Sequence, residues 1–397
     1  MDAEETHTIG FALWRVRDGR GKSLRVVAGL AGMSKDTLNR IERGLLSPTL
    51  NQIHALADAL QISVSELTRL PVPAPANGHT DSATDAVRLA LMAVSRKRPS
   101  GQVVPVEALR IRVRTVITAA RQCRQSEVST ALPGLIRDLH TSLAAGRDVA
   151  ELLDLAVLLH VQAVSHWLRE VGAPLDLRHE NDVTLTYHLA ERRDTPAALG
   201  LATYGATRMT LVAGAFDLAQ EDLAAVNVPT TSPESMQLAG MLALSHSLVA
   251  AMDSRSADAE AALEYAAELA VRTGEGMAYG LGFGPVNVGL WRMEAILEIE
   301  DHERVVAIAE SLNPEVHPYQ SRRSAYWRDY GRGLASLRGR HDDAVRALRR
   351  AETIHPHRVL RDPFVCDTLA VLLRSSRQGS PADQELRGMA RRAGLSG

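Results

Sequence analysis

The chain has 397 residues, of which 45% are hydrophobic and only 4% aromatic, and its 45 Lys and Arg against 47 Asp and Glu leave a net charge of -2. That length spans two or three domains and can bury a substantial core, while the near-neutral balance excludes a surface that is basic all over, so any nucleic-acid contact must be local. Two distant cysteines, Cys123 and Cys366, exclude a disulfide framework.

Leu, Ala, Val and Arg dominate and β-branched runs are short, which predicts an all-α protein. No basic-then-apolar leader is visible, and no apolar run approaches the roughly 20 residues of a membrane span. A soluble, cytoplasmic protein with no membrane contact is expected.

Five short helices are predicted in the first 70 residues. Ile9 to Asp18 places Ile9, Leu13 and Val16 on one face and ends at the glycines of "GRGK". Ser23 caps a second helix with Val27, Ala28, Leu30 and Ala31 inward until Gly32. Ser34 caps the third, anchored by Leu38 and Ile41 and ended by Gly44. Thr49 with Gln52 forms a capping box before Ile53, Leu56, Ala57 and Leu60, and Ser63 to Leu67 adds a last turn.

Two helices joined by a short glycine turn, the second capped by serine and polar at its start, form a helix-turn-helix pattern. Lys35, Asp36 and Thr37 make the first turn of that second helix, and Asn39 and Arg40 project outward one turn on. Between Phe11 and Gly44 eight basic residues face three acidic ones, an electrostatic footprint within a near-neutral chain.

Residues 71 to 84, "PVPAPANGHTDSAT", read as a flexible linker, separating a DNA-binding domain at 1–70 from a helical body at 85–397. In the body, "RDYGRGLASLRGRHDDAVRALRRAETIHP" sets Ala335, Gly339, Ala344, Leu348, Ala351 and Pro356 at the offsets of a tetratricopeptide-type repeat. Val305 and Ala262 occupy the place of Ala344 in looser copies about 40 residues apart, against ~34 for the standard unit. Further helical pairs are predicted at Leu132 to Val171 and Thr195 to Ala225, giving a degenerate α-solenoid with a concave face.

The stretch "SLRVVAGLAGMSKDTLNRIERGLLSPTLNQIHALADAL" resembles the xenobiotic-response-element family of regulators, which share the fold of lambda-type phage repressors. Ala28, Gly32, Ser34, "RIERG" at Arg40 to Gly44 and Ser47-Pro48 carry the resemblance, which extends from about Ile9 to Leu67. It implies that Ser34, Lys35, Asp36, Thr37, Asn39 and Arg40 lie at the DNA, with Lys35, Asp36, Thr37 and Arg40 as base readers. Arg43 and Thr49 would touch phosphate, and Arg17 would pair with Glu42 inside the module. Where many relatives carry a polar phosphate contact this chain has Leu24, so Ser23 or Arg25 takes that role. Asp36 fits a dipole-favoured first-turn acid equally well, and Thr37 a residue that serves only the helix start.

A repressor-like module on such a body resembles the peptide-sensing quorum regulators of Gram-positive bacteria, and more closely the repeat-containing regulators of high-GC actinobacteria. The resemblance implies a homodimeric, non-enzymatic transcription factor on a double-stranded operator, with a peptide or small-molecule effector on the concave face and no cofactor. The candidate effector contacts are Asn287 and Trp291, in the glycine-rich "YGLGFGPVNVGLW", and Arg323, Tyr326 and Trp327 at the start of the next hairpin. Aromatics at helical spacing serve equally well as packing. His317, His341, His355 and His357 lack the spacing of a metal pair, and no Ser-His-Asp or paired-carboxylate arrangement is present. The alternative is an interaction scaffold whose body sequesters a protein partner, with DNA binding secondary.

Overall fold

The computed structural model describes residues 8–68, 79–375 and 380–395, and these are helical throughout, with one isolated bridge between Gly276 and Phe283 and no strand among them. The first unit consists of α1 (Ile9–Gly19), α2 (Leu24–Leu30), α3 (Lys35–Glu42), α4 (Leu50–Leu60) and α5 (Val64–Thr68). Thr8, Ser23, Ser34 and Thr49 cap the first four by accepting a backbone N–H with the side chain, satisfying donors that a helix start leaves free. Ile9, Leu13, Val27, Leu38, Ile41, Ile53, Leu56, Leu60 and Leu67 meet in one core. Gly10 lies so close to the Ile41 carbonyl that a Cβ there would overlap it, so glycine lets α1 press against α3.

Leu30 departs from the expected pattern and is 63% exposed. The seven-residue α2 turns only Val27 and Ala28 fully inward, and Leu30 falls on its outer side. The ion pair between Arg17 and Glu42 forms as the resemblance implies: Arg17 Nε donates to Glu42 Oε1 at 2.6 Å and Nη2 to Oε2 at 2.8 Å. Arg17 Nη1 also donates to the Lys22 carbonyl at 2.9 Å, so one guanidinium ties α1, the following turn and α3 together.

The body continues through α6 (His79–Ser95), α7 (Val106–Arg121), α8 (Gln125–Ala144), α9 (Val149–Leu159), α10 (Ser165–Glu170), α11 (Leu175–His179), α12 (Thr186–Arg193), α13 (Pro196–Val212) and α14 (Phe216–Ala225). Of the expected linker, 71–78 lie outside the described residues, and α6 begins at His79, earlier than the start expected at 85. The helix extends ahead of its apolar face, which runs from Ala83 through Val87, Ala90, Leu91 and Val94, and composition reads that polar first turn as loop. Two π-helical turns, His160–Val164 and Glu180–Leu185, interrupt this part.

Three hairpins follow: α15 (Pro233–Met252) with α16 (Ser256–Thr273), α17 (Pro285–Glu298) with α18 (His302–Ser311), and α19 (Gln320–Ala335) with α20 (His341–Ile354). Ala344, Leu348 and Ala351 are fully buried in the last hairpin, and Gly331 stands where a Cβ would press into Leu348, so small residues let the two helices approach. The short α21 (Pro356–Leu360), α22 (Pro363–Ser375) and α23 (Pro381–Arg392) close the described chain. Two stretches, Val149–Glu170 and Pro233–Met252, are long and apolar enough to cross a membrane, contrary to the sequence expectation. They are 72% and 78% buried within the fold, as core helices are.

Candidate nucleic-acid interface

The second helix of the helix-turn-helix, α3, is built as the sequence requires. Ser34 Oγ accepts from Thr37 N at 3.0 Å and shares a 2.8 Å hydrogen bond with Thr37 Oγ1, so the threonine side chain is engaged at the helix start. Leu38 and Ile41 are fully buried beneath it. The opposite face carries Lys35, Asp36 and Arg40 exposed, with Thr37 and Asn39 half-buried at its edge. Ser23, Arg25 and Arg43 are also exposed, beside the start of α2 and the end of α3. Chemically this face can donate two or more N–H groups from Arg40 and Lys35, which suits guanine O6 and N7 or a phosphate, and can accept through Asp36 only from a donor such as cytosine N4.

Thr49 behaves differently from the other contacts that the resemblance implies. It is 7% exposed, and its hydroxyl accepts from Gln52 N at 3.2 Å. The next free donor, Leu50 N–H, points at the body, donating to Glu298 Oε2 of α17 at 2.9 Å. The start of α4 is therefore occupied by a carboxylate of this same chain and is not open to DNA in this arrangement. Sequence reading treats a capped helix start as surface, whereas packing of the body covers it.

The covering contact is extensive. Gln52 Nε2 donates to Glu300 Oε1 at 3.1 Å, and Asn51 Nδ2 to Ser254 Oγ at 2.8 Å. His54 places Nε2 3.0 Å from the Leu211 carbonyl and its ring edge-on to Phe216, with centroids 5.4 Å apart. Burial lowers the His54 pKa, so the ring is neutral and donates from Nε2. At α1, Ile9 N–H donates to Asp367 Oδ1 of α22 at 3.1 Å, and Phe364 packs against the module core under the guanidinium of Arg332. Burial pushes the carboxyls of Glu298 and Asp367 up to about 7 in each case. A cleft of about 470 Å³ remains between module and body, with Arg40, Pro48 and Thr49 on one wall and Arg332, His341 and Arg374 on the other. Glu298, Asp367 and His54 were missed in the sequence because their role depends on contacts 157 to 358 residues away along the chain.

The five residues expected at the effector do not converge on one opening. Asn287 is fully buried, with Nδ2 donating to Met241 Sδ at 3.3 Å. Trp291 is buried beneath the guanidiniums of Arg208 and Arg322. Arg323 is clamped on the Glu315 side chain and the His317 carbonyl, Tyr326 donates its hydroxyl to the Ala309 carbonyl at 2.7 Å, and Trp327 is covered by Arg350. Helical spacing here marks packing, as it commonly does for aromatics.

Residues 9–70 match the family described as a helix-turn-helix domain. No curated protein matches the chain. Among solved structures, the crystal structure of Bacillus thuringiensis PlcR in complex with the peptide PapR7 and DNA is similar at 12% identity, covering 88% of this chain and 99% of that chain with a TM-score of 0.34. The protein thus carries a helix-turn-helix DNA-binding domain at residues 9–70, set on an all-helical body.

Proposed function

We propose that this protein is a cytoplasmic, sequence-specific transcriptional regulator, with residues 1–70 as its DNA-binding unit and the helical body from α6 onward as sensor and dimerisation unit. The exposed outer face of α3, with Arg40 and Lys35 above a serine-capped start, carries the reading. Arg40 reads a guanine, Lys35 a guanine or phosphate, and Asp36 a cytosine, while Asn39 borders them. Ser23, Arg25, Ser34 and Arg43 hold the flanking phosphates. One such module covers little DNA, so two copies of the chain would bind half-sites about one helical turn apart.

The contact between module and body supplies the means of control. Glu298 sits at the start of α4, where an anionic phosphate would otherwise meet the helix dipole, so the arrangement in hand is a closed one. Binding of a peptide or small molecule to the body would shift the balance between this arrangement and one that frees Thr49. The test is footprinting of the full-length protein on the DNA it selects from a random pool. Arg40→Ala should lose protection of the selected sequence and keep weak binding to any duplex. Unchanged protection by Arg40→Ala overturns the reading. An undiminished protein partner captured after removal of residues 1–70 would favour the scaffold instead.

A further inference from the structure

Behind the module, α7, α10, α13, α17, α19 and α21 enclose a cavity of about 110 Å³. Six arginines line it, Arg121, Arg169, Arg208, Arg322, Arg328 and Arg358, against two carboxylates, Glu170 and Glu294. Arg208 is held by Glu294 through two hydrogen bonds of 3.0 and 3.2 Å, and Arg328 pairs with Asp329 at 2.8 Å and Asp362 at 3.5 Å. Glu170 lies beside two histidines, with His355 Nε2 at 2.7 Å and His166 Nε2 at 3.7 Å, and beyond ion-pair distance its charge also favours the Arg121 cation. Arg121, Arg169, Arg322 and Arg358 have no carboxylate within ion-pair distance among the described residues.

Of these four, Arg121 is buried and Arg169, Arg322 and Arg358 are half-buried. Arg121 is 7% exposed, its Nη2 donates to Gln162 Oε1, and its Nε has no partner. Arg322 Nε is likewise buried and unmet. Arg169 Nε reaches only the Ser165 carbonyl of its own helix, at 3.3 Å. Burial and the neighbouring Arg208 and Arg358 pull the Arg169 pKa down to about 9. The Tyr204 hydroxyl, which burial alone would raise, is lowered by Arg322, Arg121, Arg208 and Arg169. A buried cation without an ion-pair partner is costly to keep, and the buried Arg121 with the half-buried Arg169, Arg322 and Arg358 around one cavity favours an anion there.

We propose that this cavity binds the phosphate group of a small-molecule effector. Guanidinium forks match phosphate oxygens, and a doubly charged group offsets more of the four cations than a carboxylate does. The volume suits a headgroup and is well short of the roughly 300–1,000 Å³ of a pocket that swallows a drug-sized ligand. The rest of the ligand therefore leaves past the half-buried Ser321, Arg322 and Arg358 at the rim.

The same helices reach the module one turn further on. On α13, Arg208 lines the cavity and the Leu211 carbonyl holds His54. On α17, Glu294 lines it and Glu298 holds Leu50 N–H. On α19, Arg328 lines it and Arg332 stacks on Phe364 against the module core. An anion that competes with Glu294 for Arg208 thus acts on two helices that hold the start of α4. This coupling rests on the reading of the module as the DNA-binding unit, whereas the site itself does not.

The test uses the full chain, with calorimetry and thermal melting in inorganic phosphate, glycerol phosphate, acetate and chloride at matched ionic strength. Saturable binding and stabilisation by phosphate or its monoester are expected, at least tenfold weaker in Arg169→Met and Arg322→Ala and unchanged in Arg40→Ala. Without anion, Arg169→Met should melt at or above the parent temperature, because it removes a half-buried charge that has no ion-pair partner. Tighter binding of the monoester than of free phosphate identifies the effector as a phosphorylated metabolite, and the reverse identifies phosphate itself. Equal effects of acetate and chloride overturn the proposal, as does phosphate binding that survives both cavity variants or is lost in Arg40→Ala. DNA binding measured on the same preparations separates the two readings. Phosphate binding without DNA binding keeps the cavity and removes the regulator, and DNA binding without phosphate binding does the opposite.

Discussion

Arginine is used in opposite ways in the two parts of this molecule. In the module, Arg25 on α2, Arg40 on α3 and Arg43 just after it are exposed, where a charge is cheaply hydrated and free to meet a diffuse polyanion. In the body, the buried Arg121 and the half-buried Arg169, Arg322 and Arg358 converge on a small cavity. Among the described residues of the module the one inward arginine, Arg17, is satisfied by Glu42 and the Lys22 carbonyl without a ligand. In the body Arg208 and Arg328 are paired in this way, but Arg121, Arg169, Arg322 and Arg358 are not. An exposed cation is evidence of electrostatic attraction at most, while a buried unpaired one is evidence of a missing partner.

The largest effect that sharpens this contrast is expected at the module's internal pair. Glu42→Ala strands Arg17, whose side chain is 11% exposed, and should cost about 3 kcal/mol of module stability in a urea titration followed by an amide probe in α3. A loss below 0.5 kcal/mol, the range of a surface pair, would make the two arginine environments alike.

Arg40→Ala comes next. With the module folded, it should reduce discrimination between selected and random duplex by about 1–3 kcal/mol in a fluorescence-anisotropy competition. A uniform loss on both duplexes with a shallower salt dependence would instead make Arg40 a phosphate contact.

The contact between the regions predicts a pH dependence of stability on the acid side of neutral. Glu298 and Asp367, held at about 7 when folded, bind protons that the unfolded chain releases near pH 4, so their contribution falls as pH rises from about 4 to 7 and is lost above it. His160 and His317, pushed down to about 4 by burial, have the opposite sign: the unfolded chain binds their protons first, and stability falls as pH drops below about 6.5. Each carboxyl therefore contributes a slope of up to about 1.4 kcal/mol per pH unit below 7 and none above it, so the carboxyls offset the histidines between about pH 5 and 6.5 in a melting-temperature series. Glu298→Gln removes one of the offsetting slopes, so its melting temperature should drop more steeply than the parent's from about pH 7 to 5, with no difference in slope above about 7.5. An unchanged profile between pH 5 and 7 would show that Glu298 is solvated and the module loosely held.

The smallest effect is expected at the cap. Ser34→Ala removes the acceptor of Thr37 N–H and should cost about 1 kcal/mol in the same urea titration. No change would mean that the neighbouring Thr37 hydroxyl or water replaces the cap.

The module was readable in the sequence because its determinants are local. Caps at Ser23, Ser34 and Thr49, the glycine turn at Gly32 and the apolar pair Leu38 and Ile41 act within a few residues of one another, and each recurs in the structure. The tetratricopeptide-like hairpins were readable for the same reason, since small residues such as Ala344 and Ala351 repeat at helical spacing. Even Leu30 failed only in direction, because a two-turn helix leaves its face under-determined.

Sequence by itself thus determined an all-helical chain, its capped α3 and the outward set at Lys35, Asp36 and Arg40. Tertiary structure alone decided that Thr49 is covered, that Glu298 and Asp367 hold the module, and that six arginines from five helices face one cavity. Periodicity records which side of a helix avoids water, a property carried by residues three and four apart. It holds no record of which distant helix that side meets, and a charge turned inward looks in sequence like any other charge between apolar neighbours.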